Sequence, residues 1–166
     1  MGAASGPVIE HALYPIGNHS YTPSSAKWSN NGNRVRCETS ANSRNWYFST
    51  PSTRQSTSFQ SSWPVWFSFN VGDEWEITVK NISFTNSSSG SNYCNIFLYS
   101  TGGSSAIGTH TVNFGSGTGT VADKTFTGII GSAVDISAMR ITIYRAVAPI
   151  EFDLELRVNG ILYALN

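Results

Sequence analysis

The sequence predicts an all-β fold, a two-sheet antiparallel jelly-roll sandwich of about ten strands, on three observations. Short runs alternate apolar with polar residues, which places every second side chain on one face of an extended strand. Clusters of Ser, Thr, Asn and Gly interrupt these runs about every ten residues. No segment carries the 3.6-residue apolar period of a helix. Residues 152–158 show the pattern best: Phe152, Leu154, Leu156 and Val158 alternate with Asp153, Glu155 and Arg157, and Asn159-Gly160 supplies a tight hairpin turn.

Residues 1–32 read as an irregular N-terminal arm or linker, broken by Pro7, Pro15 and Pro23 and the SNNG cluster at 29–32, with room for one short strand near 8–14. Residues 33–166 read as the β-sandwich domain. Its strands are expected at 34–39, 45–49, 64–71, 74–85, 92–100, 107–114, 118–126, 139–147, 151–158 and 162–165. In the strand 74–85, Trp75, Ile77 and Val79 share one phase while Ile82 and Phe84 share the other, so an extra residue near Lys80-Asn81 predicts a β-bulge. Gly72-Asp73 is the turn that feeds this strand. The run from Tyr93 to Tyr99 is apolar on both phases apart from Asn95, the pattern of a central strand covered on both sides.

Composition bounds the function. The 166 residues suffice for one domain with a sizeable core. Aromatics make up 13% and charged residues only 12%, against a typical charged share of roughly 25%. Neutral hydroxyls and amides therefore form the polar surface, which suits a β-rich protein that works outside the crowded cytosol. Ten basic residues balance ten acidic ones, so no global field attracts nucleic acid or a membrane surface. No apolar run approaches the roughly 20 residues of a spanning helix. The start, MGAASG, lacks the basic and apolar stretches of a secretory leader, which reads as a mature or excised fragment or another route of export.

The polar chemistry is sparse. Cys37 and Cys94 lack metal or redox spacing and read as two buried thiols or one bridge. His11, His19 and His110 have no ligand partner at close spacing and read as solvated side chains. Asp123 and Asp135 lie near loops, but not at the spacing of a dedicated calcium site. No metal or cofactor is expected. A glycosidase needs two carboxylates across a sugar; the acids here fall mostly at outward strand positions, such as Glu74 and Glu76 beside Trp75, and a solvated face accounts for them.

Aromatics are the excess that reports on function. Trp75, Phe67, Phe69, Phe97 and Phe126 fit inward positions. Trp66 falls out of phase with Val65, Phe67, Phe69 and Val71 and so is expected to point outward; Tyr144 is outward on the same logic, with Arg140 and Thr142. Trp63 stands in a polar loop, and Tyr47 opposes the phase of Trp46 and Phe48. A flat ring stacks on the C–H face of a sugar while amides and guanidinium groups hold its hydroxyls. The expected ligand-binding set is therefore Trp66, Trp63, Tyr47, Tyr144 and Arg36.

The runs VGDEWEITVKNIS at 71–83 and IEFDLELRVNG at 150–160 resemble jelly-roll modules of two kinds. One is the carbohydrate-binding modules of bacterial enzymes; the other is the receptor-binding domains of phage and prophage tails. The resemblance implies a non-catalytic module that recognises a saccharide or cell-surface glycan. Its rivals are a virion or appendage subunit that buries the same rings in a homotrimer, and an enzyme of the glycoside hydrolase type.

Overall fold

The computed structural model describes residues 9–15, 28–31, 33–37, 43–49, 65–87, 93–114, 117–144 and 146–165. Among them there is no helix. The strands are β1 (Ile9–Pro15), β2 (Trp28–Asn31), β3 (Arg34–Cys37), β4 (Ser43–Ser49), β5 (Phe67–Phe69), β6 (Glu74–Ser87), β7 (Tyr93–Ser100), β8 (His110–Asn113), β9 (Gly117–Val121), β10 (Lys124–Ile129), β11 (Val134–Tyr144), β12 (Ala146–Val158) and β13 (Ile161–Leu165).

Eight of them form two antiparallel sheets in jelly-roll order. The first sheet runs β3-β12-β6-β10 and the second β4-β11-β7-β8. Along the chain, every link between these eight changes sheet except the β7–β8 hairpin, and that is how the two layers come to share one core. The remaining strands extend existing edges: β2 pairs with β3, β5 with β11, β9 with β6 and β13 with β12. Strand β1 runs parallel to β13 and then meets β4 antiparallel, so it joins the two layers.

The core lies between the sheets. Ile77, Val79, Phe152, Leu154, Ile96, Leu98, Met139 and Ile141 are all fully buried. Each comes from the inward row of an alternating strand, as β12 shows with Ile150, Phe152, Leu154, Leu156 and Val158 buried between half-exposed charged neighbours. Cys37 and Cys94 are buried and form no disulfide; burial pushes the Cys94 thiol up to about 12.

The bulge lies where the alternation changes phase. Glu151 pairs with Ser83 and Asp153 with Lys80, so two residues of β6 face one of β12, and Asn81 takes φ +51°. Asparagine tolerates this left-handed conformation because its short side chain bonds locally; here Nδ2 donates to Asp153 (2.7 Å). The freed Asn81 N–H donates to Asp123 (3.0 Å) and its carbonyl accepts from Arg34 (2.7 Å). Asp123 sits between β9 and β10, which pair with β6 on either side of the bulge. This accounts for two strands in the stretch 118–126, where the sequence suggests one.

The β12–β13 hairpin turns at Asn159 (φ +51°) and Gly160 (φ +79°), the two left-handed residues such a turn requires. Asn159 also fastens the start of β6: its Oδ1 accepts from the Glu74 N–H (2.9 Å), and its Nδ2 donates to Asp73 (3.0 Å). That bond, with the Asn70 N–H, holds the Asp73 carboxyl below its ordinary range. Hydrogen bonding from Arg36, then from Arg34, does the same for Glu151 against the opposing effect of burial. A carboxylate depressed in the folded state stabilises fully above its unfolded pKa, and the contribution disappears as pH falls through the folded value. Urea midpoints should therefore hold steady down to about pH 5 and decline as carboxylates protonate below it. Glu151→Gln should flatten that decline; an unaltered acid limb in the variant would refute the assignment.

Gly128 lies opposite Trp75 in the β10–β6 pair, and a Cβ there would stand 2.6 Å from the indole. Gly128→Ala must displace the ring, so a loss of about 1–3 kcal/mol in denaturant unfolding is expected.

Candidate functional site

The outer faces of the two sheets differ in chemistry. On the first sheet, Arg36 bonds Glu151 (2.7 Å), Arg34 reaches Glu151 (3.4 Å) and Asp153 (3.3 Å), and Lys80 (3.2 Å) and Arg157 (3.4 Å) hold Glu155. These side chains are partly exposed, so the face is an ionic, hydrated lattice in which each pair contributes little by itself.

The second sheet turns an aromatic and amide face outward. Strand β7 buries Cys94, Ile96, Leu98 and Ser100 and leaves Tyr93, Asn95, Phe97 and Tyr99 half-buried on its other row. Two expectations are corrected here. The strand is not sealed on both sides, and Phe97 is not an inward core residue. Apolar residues occupy both phases of this strand, so alternation alone could not say which row faces the interior.

Arg140 of β11 pairs in register with Phe97, and its guanidinium carbon lies 4.0 Å from the Phe97 ring centroid and 5.1 Å from that of Tyr99. The Phe97 and Tyr99 rings are 6.0 Å apart and tilted by 53°. Next along the strands, Asn95 is in register with Thr142 of β11 and Thr111 of β8. Asn95 Oδ1 accepts from the Thr111 hydroxyl (2.6 Å), while its Nδ2 donors have no partner among the described residues. The arrangement offers ring faces, a guanidinium and amide donors on a rigid strand scaffold, a combination suited to a polyhydroxylated ligand.

Of the residues expected to bind ligand, two fall in the second sheet and two do not. Tyr47 of β4 pairs in register with Arg140, and Tyr144 of β11 with Tyr93, so both occupy backbone positions in the second sheet. Arg36 is on the first sheet, in its ion pair with Glu151. Trp63 lies outside the described residues. Trp66 is a correction: it is only 6% exposed, in edge contact with Phe67 (4.6 Å) and Tyr163 (5.3 Å). Alternation fails there because β5 begins only at Phe67. Trp66 precedes it, fixed by a hydrogen bond from its N–H to the Ile136 carbonyl (2.6 Å), and two successive residues turn inward. Phe97, Tyr99 and Arg140 are what sequence reasoning missed as a site, because the pairing of β7 with β11 is long-range.

One end of the sandwich holds a cleft of about 620 Å³ whose walls include Trp75, Gly128, Ile130 and Ser104. Several of its polar and aromatic groups are already engaged. Ser100 and Ser104 bond each other (3.0 Å), Ser105 donates to the Gly108 carbonyl (2.8 Å), and Trp75 is packed against His110 (4.9 Å) and Gly128. His110 is another correction. It is not a solvated side chain but packs between Trp75 and Phe126, and its Nε2–H donates to the Ile107 carbonyl (2.8 Å). Among the described residues no three His, Cys, Asp or Glu are placed to hold a metal ion, and no helix is long and apolar enough to cross a membrane.

No protein-family model and no curated protein matches the sequence. Among solved structures, the chain is similar to BiXyn10A CBM1 in its apo form, at 10% identity and a TM-score of 0.49, with 89% of each chain covered. It is also similar to the enzymatically active domain of tailspike protein 4 of bacteriophage CBA120, at 7% identity and a TM-score of 0.49, over 86% of this chain and 20% of that one. Likenesses at this level bear on neither ligand nor assembly.

Proposed function

We propose that the protein is a non-catalytic saccharide-binding module that recognises a surface glycan outside the cell or on a virion, and that the outer face of the second sheet is its binding platform. The observation that carries this reading is the stack of Arg140 on Phe97 beside Tyr99, with the Asn95 amide in the adjacent register position. Rings supply apolar contact to the C–H face of a pyranose, and the guanidinium and amide supply directional bonds to its oxygens. Six carboxylates among the described residues already have structural partners: Glu151, Asp153 and Glu155 in ion pairs, Asp73 at the β6 turn, Asp123 at the bulge and Asp135 on Ser68. These engagements support a binding role over an acid-base one.

Calorimetric titration with a panel of neutral and acidic oligosaccharides tests the reading. Binding of at least one class, weakened by changes at Phe97 and Tyr99, is expected; a protein that binds none of them refutes it. Light scattering at high concentration separates this reading from a homotrimeric building block, in which the same rings would be covered by a neighbouring copy.

A further inference from the structure

We infer that the saccharide taken by this face carries a carboxylate, as in a uronic-acid chain, and that Arg140 receives it. The inference rests on the binding reading above and adds the charge of the ligand.

Arg140 differs from the arginines of the first sheet. Arg34, Arg36 and Arg157 each meet a carboxylate within 3.4 Å. Arg140 makes no ion pair among the described residues, and its Nε is buried without a hydrogen-bond acceptor. Partial burial of an unpaired guanidinium has a free-energy cost, which an incoming anion removes. The local sequence offers no acid to do so. The positions of β7, β4 and β8 in register with the row of Arg140, Thr142 and Tyr144 are Phe97, Asn95 and Tyr93, then Tyr47, Asn45 and Ser43, then Thr111 and Asn113. All are neutral, so no acid at these positions repels a carboxylate approaching Arg140.

Geometry favours a carboxylate over a lone hydroxyl. A guanidinium lying on aromatic faces keeps its N–H edge in the plane of the group, and that edge matches the two oxygens of a carboxylate. Ring surface that the guanidinium leaves uncovered takes the sugar's apolar face, and the Nδ2 donors of Asn95 are placed for a neighbouring hydroxyl. A sugar acid satisfies the ring faces, the guanidinium and the amide together. A neutral sugar leaves the guanidinium without its counter-charge.

The test is calorimetry with galacturonic-acid oligosaccharides, the same oligosaccharides with their carboxyls methyl-esterified, and neutral galactose oligosaccharides. The intact protein should bind the acid form at least tenfold more tightly than the ester, and added salt should narrow the difference. Arg140→Gln should abolish the preference while residual binding to the ester persists. Arg140→Lys, which keeps the charge and loses the planar fork, should restore only part of it. Equal affinity for acid, ester and neutral forms overturns the carboxylate inference and leaves the platform standing. Binding of none overturns both. If Arg140→Gln does not fold, the acid-to-ester ratio measured on the unaltered protein decides alone.

Discussion

Trp66→Ala is expected to destabilise the protein by about 3–5 kcal/mol, the range for truncating a buried large aromatic. The ring fills the space between the start of β5 and Tyr163 of β13, so its loss opens a void where the second sheet packs on the first. With a total stability of about 5–15 kcal/mol for a domain of this kind, that is a large share. Urea denaturation should show a midpoint lower by about 1–2 M. Trp66→Phe should behave quite differently. The indole Nε1 is buried and has no partner among the described residues, so the wild-type residue already carries the cost of an unsatisfied donor, about 1–3 kcal/mol. Phenylalanine removes that donor and leaves a smaller void, and the two effects should nearly cancel. If Ala and Phe at this position give the same midpoint, the ring does not fill the core as described.

The second large effect is on recognition. Removing Phe97 and Tyr99 together is expected to reduce saccharide affinity a hundredfold or more, since central aromatic anchors are typically worth about 2 kcal/mol or more each. Phe97→Ala acts twice, because it also takes away the surface on which the Arg140 guanidinium rests. The fold should survive the pair of changes. The inward row of β7, made of Cys94, Ile96, Leu98 and Ser100, carries that strand's packing, while Phe97 and Tyr99 sit on the other row. Titration of the double variant, with its unfolding midpoint as control, separates lost binding from lost structure. Unchanged affinity in a folded double variant would remove this face as the platform.

What the sequence disclosed followed from how local each signal was. The bulge at Asn81 and the Asn159-Gly160 turn are written within a few residues of themselves, and both occur where periodicity and turn chemistry put them. The alternation of β12 likewise identified its buried and charged rows. Two kinds of information were not local. In β7 both rows are apolar, so the inward one is decided by contact with the opposite sheet. At Trp66 the strand had not yet begun, and the phase of later residues said nothing about it. The site suffered most from this distance dependence. Arg36 and Tyr144 look alike as outward polar-aromatic positions, yet cross-strand pairing assigns them to opposite layers, while Phe97 and Arg140, 43 positions apart in the chain, become neighbours.

The placement of β12 and β11 in separate layers has a consequence for how such a protein can diversify. The salt-bridged side and the ring-bearing side are back to back, divided by a core roughly 10 Å thick. Substitutions among Arg34, Lys80, Glu155 and Arg157 can therefore reset isoelectric point and colloidal behaviour with little influence on the opposite surface, whose selectivity is free to drift on its own.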